Sequence, residues 1–130
     1  MSYEPRAGAV LYAKKMDQVA AFYSAVLAVE PTGCDDGHVV LESPAFQLVV
    51  RQIPSDLAST ISIAAPPVRR AEAAVKLVFF VPSIARVRAV AEARGGLLNG
   101  PDKEWVFNGW TVCDGLDPEG NVVQFRAKAG

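Results

Sequence analysis

Imidazoles and thiols carry much of the chemistry of metal centres and nucleophilic enzymes, and this chain has few of either. It contains one histidine, His38, and two cysteines, Cys34 and Cys113. Sites that need two or three imidazoles are therefore out of reach. His38 directly follows Asp36-Gly37, a hairpin signal, and is expected to be an exposed turn residue. The cysteines show no CxxC or Cys-His spacing, so both are expected to be buried, reduced thiols. The sequence has no Gly-rich phosphate loop, no serine in a nucleophile elbow and no carboxylate pair of defined spacing.

Composition narrows the classes further. The chain has 130 residues, 51% of them hydrophobic, with 13 basic side chains against 14 acidic ones. A chain of this size is normally one domain and buries roughly two thirds of its unfolded surface, which rules against disorder. A net charge of -1 without a dense basic run argues against nucleic acid as a partner. Apolar runs are short, Leu77 to Val81 being typical, whereas a membrane span takes about 20 residues. No membrane partner and no export signal are read, so the expected compartment is the cytoplasm.

The elements that must position any site come in two similar sets. Ala9 to Ala13 form a short apolar run, followed by a helical stripe of Met16, Val19, Ala20, Tyr23, Val26 and Leu27 that stops at Pro31. Leu77 to Val81 form a second run, followed by Pro82, an N-cap at Ser83, and a stripe of Ile84, Val87, Val90 and Ala91 that stops at Gly95-Gly96. Laying one on the other matches Val10 with Val78, Tyr12 with Phe80, and Met16 with Ile84. Each helix precedes short β-type segments separated by turn chemistry: Asp36-Gly37 and Ser43-Pro44 in the first half, Gly100-Pro101, Asn108-Gly109 and Asp117-Pro118-Glu119-Gly120-Asn121 in the second. The pattern predicts an α+β fold of two βαβββ modules, at about residues 8–53 and 72–127. A linker at 54–71 joins them, with Arg69-Arg70 as a solvated patch. Units this small have marginal cores alone, which predicts one domain of 1–130.

The duplicated unit, Phe22-Tyr23 in the first helix, the helix end Ala93-Arg94-Gly95-Gly96 and the turn Asp117-Pro118-Glu119-Gly120-Asn121 together resemble the vicinal oxygen chelate superfamily. That superfamily includes glyoxalase I, extradiol dioxygenases and bleomycin-resistance proteins, and the resemblance covers nearly the whole chain. It implies modules that curl a mixed sheet around a cavity with helices outside, often in a dimer. It also implies a divalent metal held by His or Glu from the first and last strand of each module. Here those positions fall on Gly8, Gln47, Lys76 and Gln124. Glycine has no donor atom, a carboxamide is a weak ligand, and an ammonium repels the ion by about 4 kcal/mol per charge pair at an effective dielectric near 20. No metal or other cofactor is expected, and a metal site would have to be rearranged around Glu42 or Asp114.

If Gly8 and Lys76 face the cavity, strand alternation adds Val10, Tyr12, Val78 and Phe80, with Gln47, Val49 and Arg51 from the fourth strand and Val122, Gln124 and Arg126 from the last. This lining suits a small organic anion with a flat or apolar body. Tyr12, Gln47, Arg51, Lys76, Phe80, Trp105, Trp110, Gln124 and Arg126 are the candidate ligand contacts. Blander roles stand beside them. Lys76 can snorkel out to pair with Glu104, Gln47 and Gln124 can bond each other or water, Tyr12 and Phe80 can be core, and either tryptophan can anchor a dimer. The leading function is a metal-free binder of the sequestration or resistance type. One alternative is a lyase, isomerase or dioxygenase-type enzyme with a rearranged metal site or with Lys76 as acid or base. Another is a dimeric structural or regulatory protein with a collapsed cavity.

Overall fold

Alternation along the first strand decides how its unit is built. In β1 (Ala7–Ala13) the residues Ala9, Leu11 and Ala13 are more buried than Gly8, Val10 and Tyr12. The strand therefore has a covered face and an open one. The computed structural model describes residues 4–130, which form two compact units divided between Ser62 and Ile63. The first unit runs β1, α1 (Met16–Leu27), β2 (Pro31–Cys34), β3 (His38–Ser43), β4 (Phe46–Gln52) and a short helix α2 (Ser55–Ala58). Its sheet order is β1-β4-β3-β2, with β1 parallel to β4 and the other pairs antiparallel. α1 packs on β1, β3 and β4 through the apolar stripe that its 3.6-residue period produces, with Met16, Val19, Ala20, Phe22, Tyr23 and Val26 buried. Beneath it lie Val39, Leu41, Leu48 and Val50, each worth about 1.5–3 kcal/mol of burial.

The second unit repeats the plan with one change. β5 (Leu77–Phe80) leads to α3 (Ile84–Ala93), then β6 (Leu97–Leu98), a 3₁₀ turn (Pro101–Lys103), β7 (Trp105–Phe107), β8 (Trp110–Leu116) and β9 (Val122–Lys128). β5 is parallel to β9, which pairs with β8. β6 and β7 both pair with β8, at Gly115-Leu116 and at Trp110 to Val112 respectively. The first of the three strands expected after the helix is thus split by the Gly100-Pro101 turn into β6 and β7, and the sheet has five strands. Ser83 caps α3 as its sequence predicts, its hydroxyl oxygen accepting from the Arg86 N–H at 3.2 Å. Ile84, Val87 and Ala91 are buried, while Val90 is half-buried.

The turn before β9 explains its unusual composition. Asp117 is fully buried and accepts from the Glu119 N–H at 2.8 Å, the Asn121 N–H at 3.1 Å and the Asn121 side-chain amide at 2.8 Å. Gly120 has φ +83°, and a Cβ there would lie 2.0 Å from the Val68 carbonyl oxygen. Arg70 lies against the same turn, donating its backbone N–H to the Gly120 carbonyl and its Nε–H to the Glu119 carbonyl, both at 3.0 Å. Arg69 and Arg70 are both exposed, as a solvated patch requires, but Arg70 is also tied to this turn by those two bonds. The stretch expected to be a plain linker also contains α2. No helix among the described residues is long and apolar enough to cross a membrane.

Candidate functional site

On the second unit's open face the ladder places Lys128 opposite Trp110, Arg126 opposite Val112, Gln124 opposite Asp114 and Val122 opposite Leu116. Phe80 stands opposite Arg126 and Val78 opposite Gln124. Arg126, Gln124 and Asp114, with Lys76 beyond them, form a connected chain of hydrogen bonds. Arg126 Nε–H donates to Gln124 Oε1 at 2.8 Å, Gln124 Nε2–H donates to Asp114 Oδ1 at 3.0 Å, and Lys76 Nζ donates to Asp114 Oδ2 at 3.0 Å. The network holds two cations against one carboxylate, which contacts Lys76 alone, so it keeps a net positive charge. Lys76 pairs with Asp114 and not with Glu104, which instead takes Arg88 as its partner. The Glu104 carboxylate raises the Arg88 pKa, and burial pushes the Cys113 thiol up.

Aromatic rings surround the free end of Arg126. Its guanidinium carbon lies 5.8 Å from the Phe80 centroid and 5.2 Å from that of Phe107, within cation–π range of both. Phe80 meets Trp110 edge to face with centroids 4.7 Å apart. Phe80, Trp110, Val81, Pro82 and Lys128 line a pocket of about 370 Å³. Phe80 is 58% exposed, so it belongs to the open face and not to the core. Tyr12, equally exposed, is no core residue either. Trp105 and Trp110 flank the Asn108-Gly109 turn, whose two residues both have positive φ and close the β7–β8 hairpin with Phe107 opposite Trp110.

The first unit's open face has related chemistry. Gln47 stands between Gly8 on β1 and Glu42 on β3 and donates to the Glu42 carboxylate at 3.0 Å. Each glutamine gives its amide to the carboxylate opposite it on the neighbouring strand of its own unit. Arg51 stands between Tyr12 and His38. His38 is the first residue of β3, on the open face with Arg51, which corrects the expectation of an exposed turn residue away from every candidate position. Its Nδ1 lies 3.1 Å from Asp35 Oδ1, and Arg51 Nη1 lies 2.5 Å from its Nε2. Asp35 also accepts the backbone N–H groups of Gly37 and His38, both at 2.8 Å. The Gly37 N–H first, then the His38 ring, hold the Asp35 pKa below its ordinary value. Cys34 is exposed, contrary to expectation, while Cys113 is buried.

Solved structures of known proteins match this arrangement over nearly their full lengths. A glyoxalase/bleomycin resistance protein/dioxygenase family enzyme from Burkholderia phytofirmans PsJN aligns with a TM-score of 0.69 at 16% identity, covering 97% of this chain and 100% of its own. The chain has the vicinal oxygen chelate fold. A glyoxalase/bleomycin resistance protein from Albidiferax ferrireducens T118 aligns at 0.66 and 16%, covering 95% of this chain and 98% of its own. A bleomycin resistance determinant encoded on the transposon Tn5 aligns at 0.62 and 15%, covering 98% and 100%. No family model matches the sequence, and no curated protein sequence matches it significantly.

The metal that the vicinal oxygen chelate fold often carries does not suit these residues. A Cβ on Gly8 would lie 2.8 Å from the Gln47 carbonyl oxygen, so β1 and β4 leave no space for a side chain there. Gln47 is bonded to Glu42, Gln124 accepts from Arg126, and Lys76 occupies Asp114. The ladders also offset the aligned pair: Gly8 pairs with Gln47, but Gln124 pairs with Val78, two residues beyond Lys76 on the same face. Among the described residues no three His, Cys, Asp or Glu side chains are grouped to hold a metal ion. Phe107, His38 and Asp35 also join these faces. Phe107 lies beside Asn108-Gly109. His38 follows from carrying the alternation of Gln47, Val49 and Arg51 back across the Ser43-Pro44 turn. Asp35 is brought in by the turn before β3, where its carboxylate accepts the Gly37 and His38 N–H groups.

Proposed function

We propose that this chain is a metal-free binder of a small organic anion with an aromatic or apolar body, of the sequestration or resistance type. The observation that carries the reading is Arg126. Its Nε–H is fixed by Gln124, two rings flank its guanidinium, no carboxylate among the described residues neutralises it, and a pocket of about 370 Å³ opens beside Phe80, Trp110 and Lys128. A guanidinium held by one edge presents its other N–H groups to an incoming carboxylate in a fixed plane. The rings supply apolar area for a flat body, and the volume falls in the range of small-molecule pockets. Acid or base catalysis at Lys76 has less support. That amine is ion-paired and partly exposed, the reverse of the desolvated setting of catalytic lysines.

Titration with benzoate and naphthoate, read by tryptophan fluorescence and calorimetry, tests this. Saturable binding that weakens about tenfold or more in Arg126→Gln and in Phe80→Ala is expected. Heat and fluorescence that stay flat for every aromatic anion would sink the reading. In the same reading the chain acts as a cytoplasmic homodimer through exposed apolar residues such as Val106, 67% exposed at the β7 edge. Light scattering that gives a monomer would remove that part alone.

A further inference from the structure

The lone histidine, the neighbouring arginine and a hairpin aspartate form a second arrangement, confined to the first unit and independent of Arg126. Asp35 Oδ1 is an acceptor, so the His38 nitrogen facing it at 3.1 Å is Nδ1–H. The other nitrogen, Nε2, then holds a lone pair, and the Arg51 N–H at 2.5 Å points to it. This geometry leaves a half-buried guanidinium with a neutral ring as its side-chain partner and no carboxylate among the described residues. Its remaining N–H groups have no partner among the described residues, and Tyr12, 58% exposed, stands beside it across the β1–β4 ladder.

We propose that the first unit binds a small aromatic carboxylate at Tyr12, His38 and Arg51, and that His38 takes up a proton as the anion arrives. The carboxylate supplies the charge that Arg51 lacks, through the planar fork of its free N–H groups. Arg51 then releases Nε2. A proton from solvent fills that lone pair, and the resulting N–H donates to the second carboxylate oxygen while Asp35 stabilises the imidazolium from the far side. The N–H bond formed at Nε2 is balanced by the O–H bond broken in hydronium, and no bond between heavy atoms changes. The groups facing the imidazole are Asp35 from the hairpin and Arg51 from β4, with Tyr12 one strand further on β1. The bound anion favours the protonated ring, so by linkage affinity rises as pH falls.

Because His38 is the only histidine and both tryptophans, Trp105 and Trp110, lie in the second unit, the two sites have separate reporters. Long-range ¹H–¹⁵N spectra of the whole labelled chain should show the Nδ1–H tautomer without ligand. Adding benzoate should convert the pattern toward imidazolium, with binding about tenfold tighter at about pH 5 than at about pH 8. Arg51→Gln should abolish the response, and Arg126→Gln should leave it intact. His38→Gln keeps an acceptor for Arg51, so calorimetry should find binding that no longer depends on pH. Imidazole signals that ignore benzoate, or that shift equally in Arg51→Gln, overturn the proposal whatever the tryptophans report.

Discussion

Two aspartates show how single carboxylates hold this molecule together, one buried and one exposed. Asp117 is fully buried and its two oxygens accept three N–H groups, a set that only a charged carboxylate satisfies in full. Asp117→Asn turns one acceptor into a donor facing other donors. The expected loss is about 3 kcal/mol, read from urea unfolding midpoints at unchanged m-value. Asp35 gives a weaker and pH-dependent effect because it lies in solvent. Its pKa is lowered on folding, so its contribution is present above the ordinary carboxylate range and is lost as pH falls through the folded value. The Gly37 and His38 amide signals should titrate together in acid with an apparent pKa below that of an ordinary aspartate. In Asp35→Asn that transition should disappear. The thiols differ in the same way: a water-soluble alkylating reagent should modify Cys34 quickly in the native protein and reach Cys113 only on unfolding.

Secondary-structure elements were the most legible level, because each start and stop rests on local chemistry. The Ser83 cap, the Asn108-Gly109 hairpin and the apolar stripes of α1 and α3 follow from propensity, φ preference and the 3.6-residue period. The partition of β1 into covered Ala9, Leu11 and Ala13 and open Val10 and Tyr12 follows from the two-residue period in the same way. What local chemistry leaves undetermined is which strand neighbours which side chain. His38 reads as a turn residue from Asp36-Gly37 alone, and only the β3–β4 ladder sets it opposite Arg51. The carboxylate partners of Gln47 and Gln124 are likewise cross-strand neighbours, ten residues apart in sequence for Gln124 and Asp114. The start of α1 shows the same limit. Lys15 offers no side-chain cap, and Gln52 replaces it from β4, accepting the Met16 N–H at 3.1 Å and donating to the Lys14 carbonyl at 2.6 Å. Gln52→Ala should therefore cost about 1 kcal/mol and raise amide exchange in the first turn of α1. Exchange in α3, which carries its own Ser83 cap, should not change.

Across the whole chain the duplication has kept its scaffold and changed its chemistry. Each unit holds an aromatic residue of its first strand opposite an arginine of its last, Tyr12 with Arg51 and Phe80 with Arg126, and each gives a glutamine amide to a carboxylate one strand away. Gln47 and Gln124 stand at positions expected from the resemblance to hold metal ligands, and both amides already bond a carboxylate. Freeing them for a cation would mean breaking a hydrogen bond in each unit and accommodating the Lys76 ammonium beside the new charge. The obvious repair also fails on steric grounds, since a side chain at Gly8 meets the Gln47 carbonyl oxygen at 2.8 Å. Extended dialysis against a chelator should therefore leave the thermal midpoint and benzoate binding unchanged. Gly8→His should lower the midpoint by several degrees without creating stoichiometric Zn or Ni binding, measured by elemental analysis of the purified variant. A stable Gly8→His protein carrying one equivalent of metal would show that β1 and β4 can part enough to rebuild a metal site, and the metal-free reading would have to be abandoned.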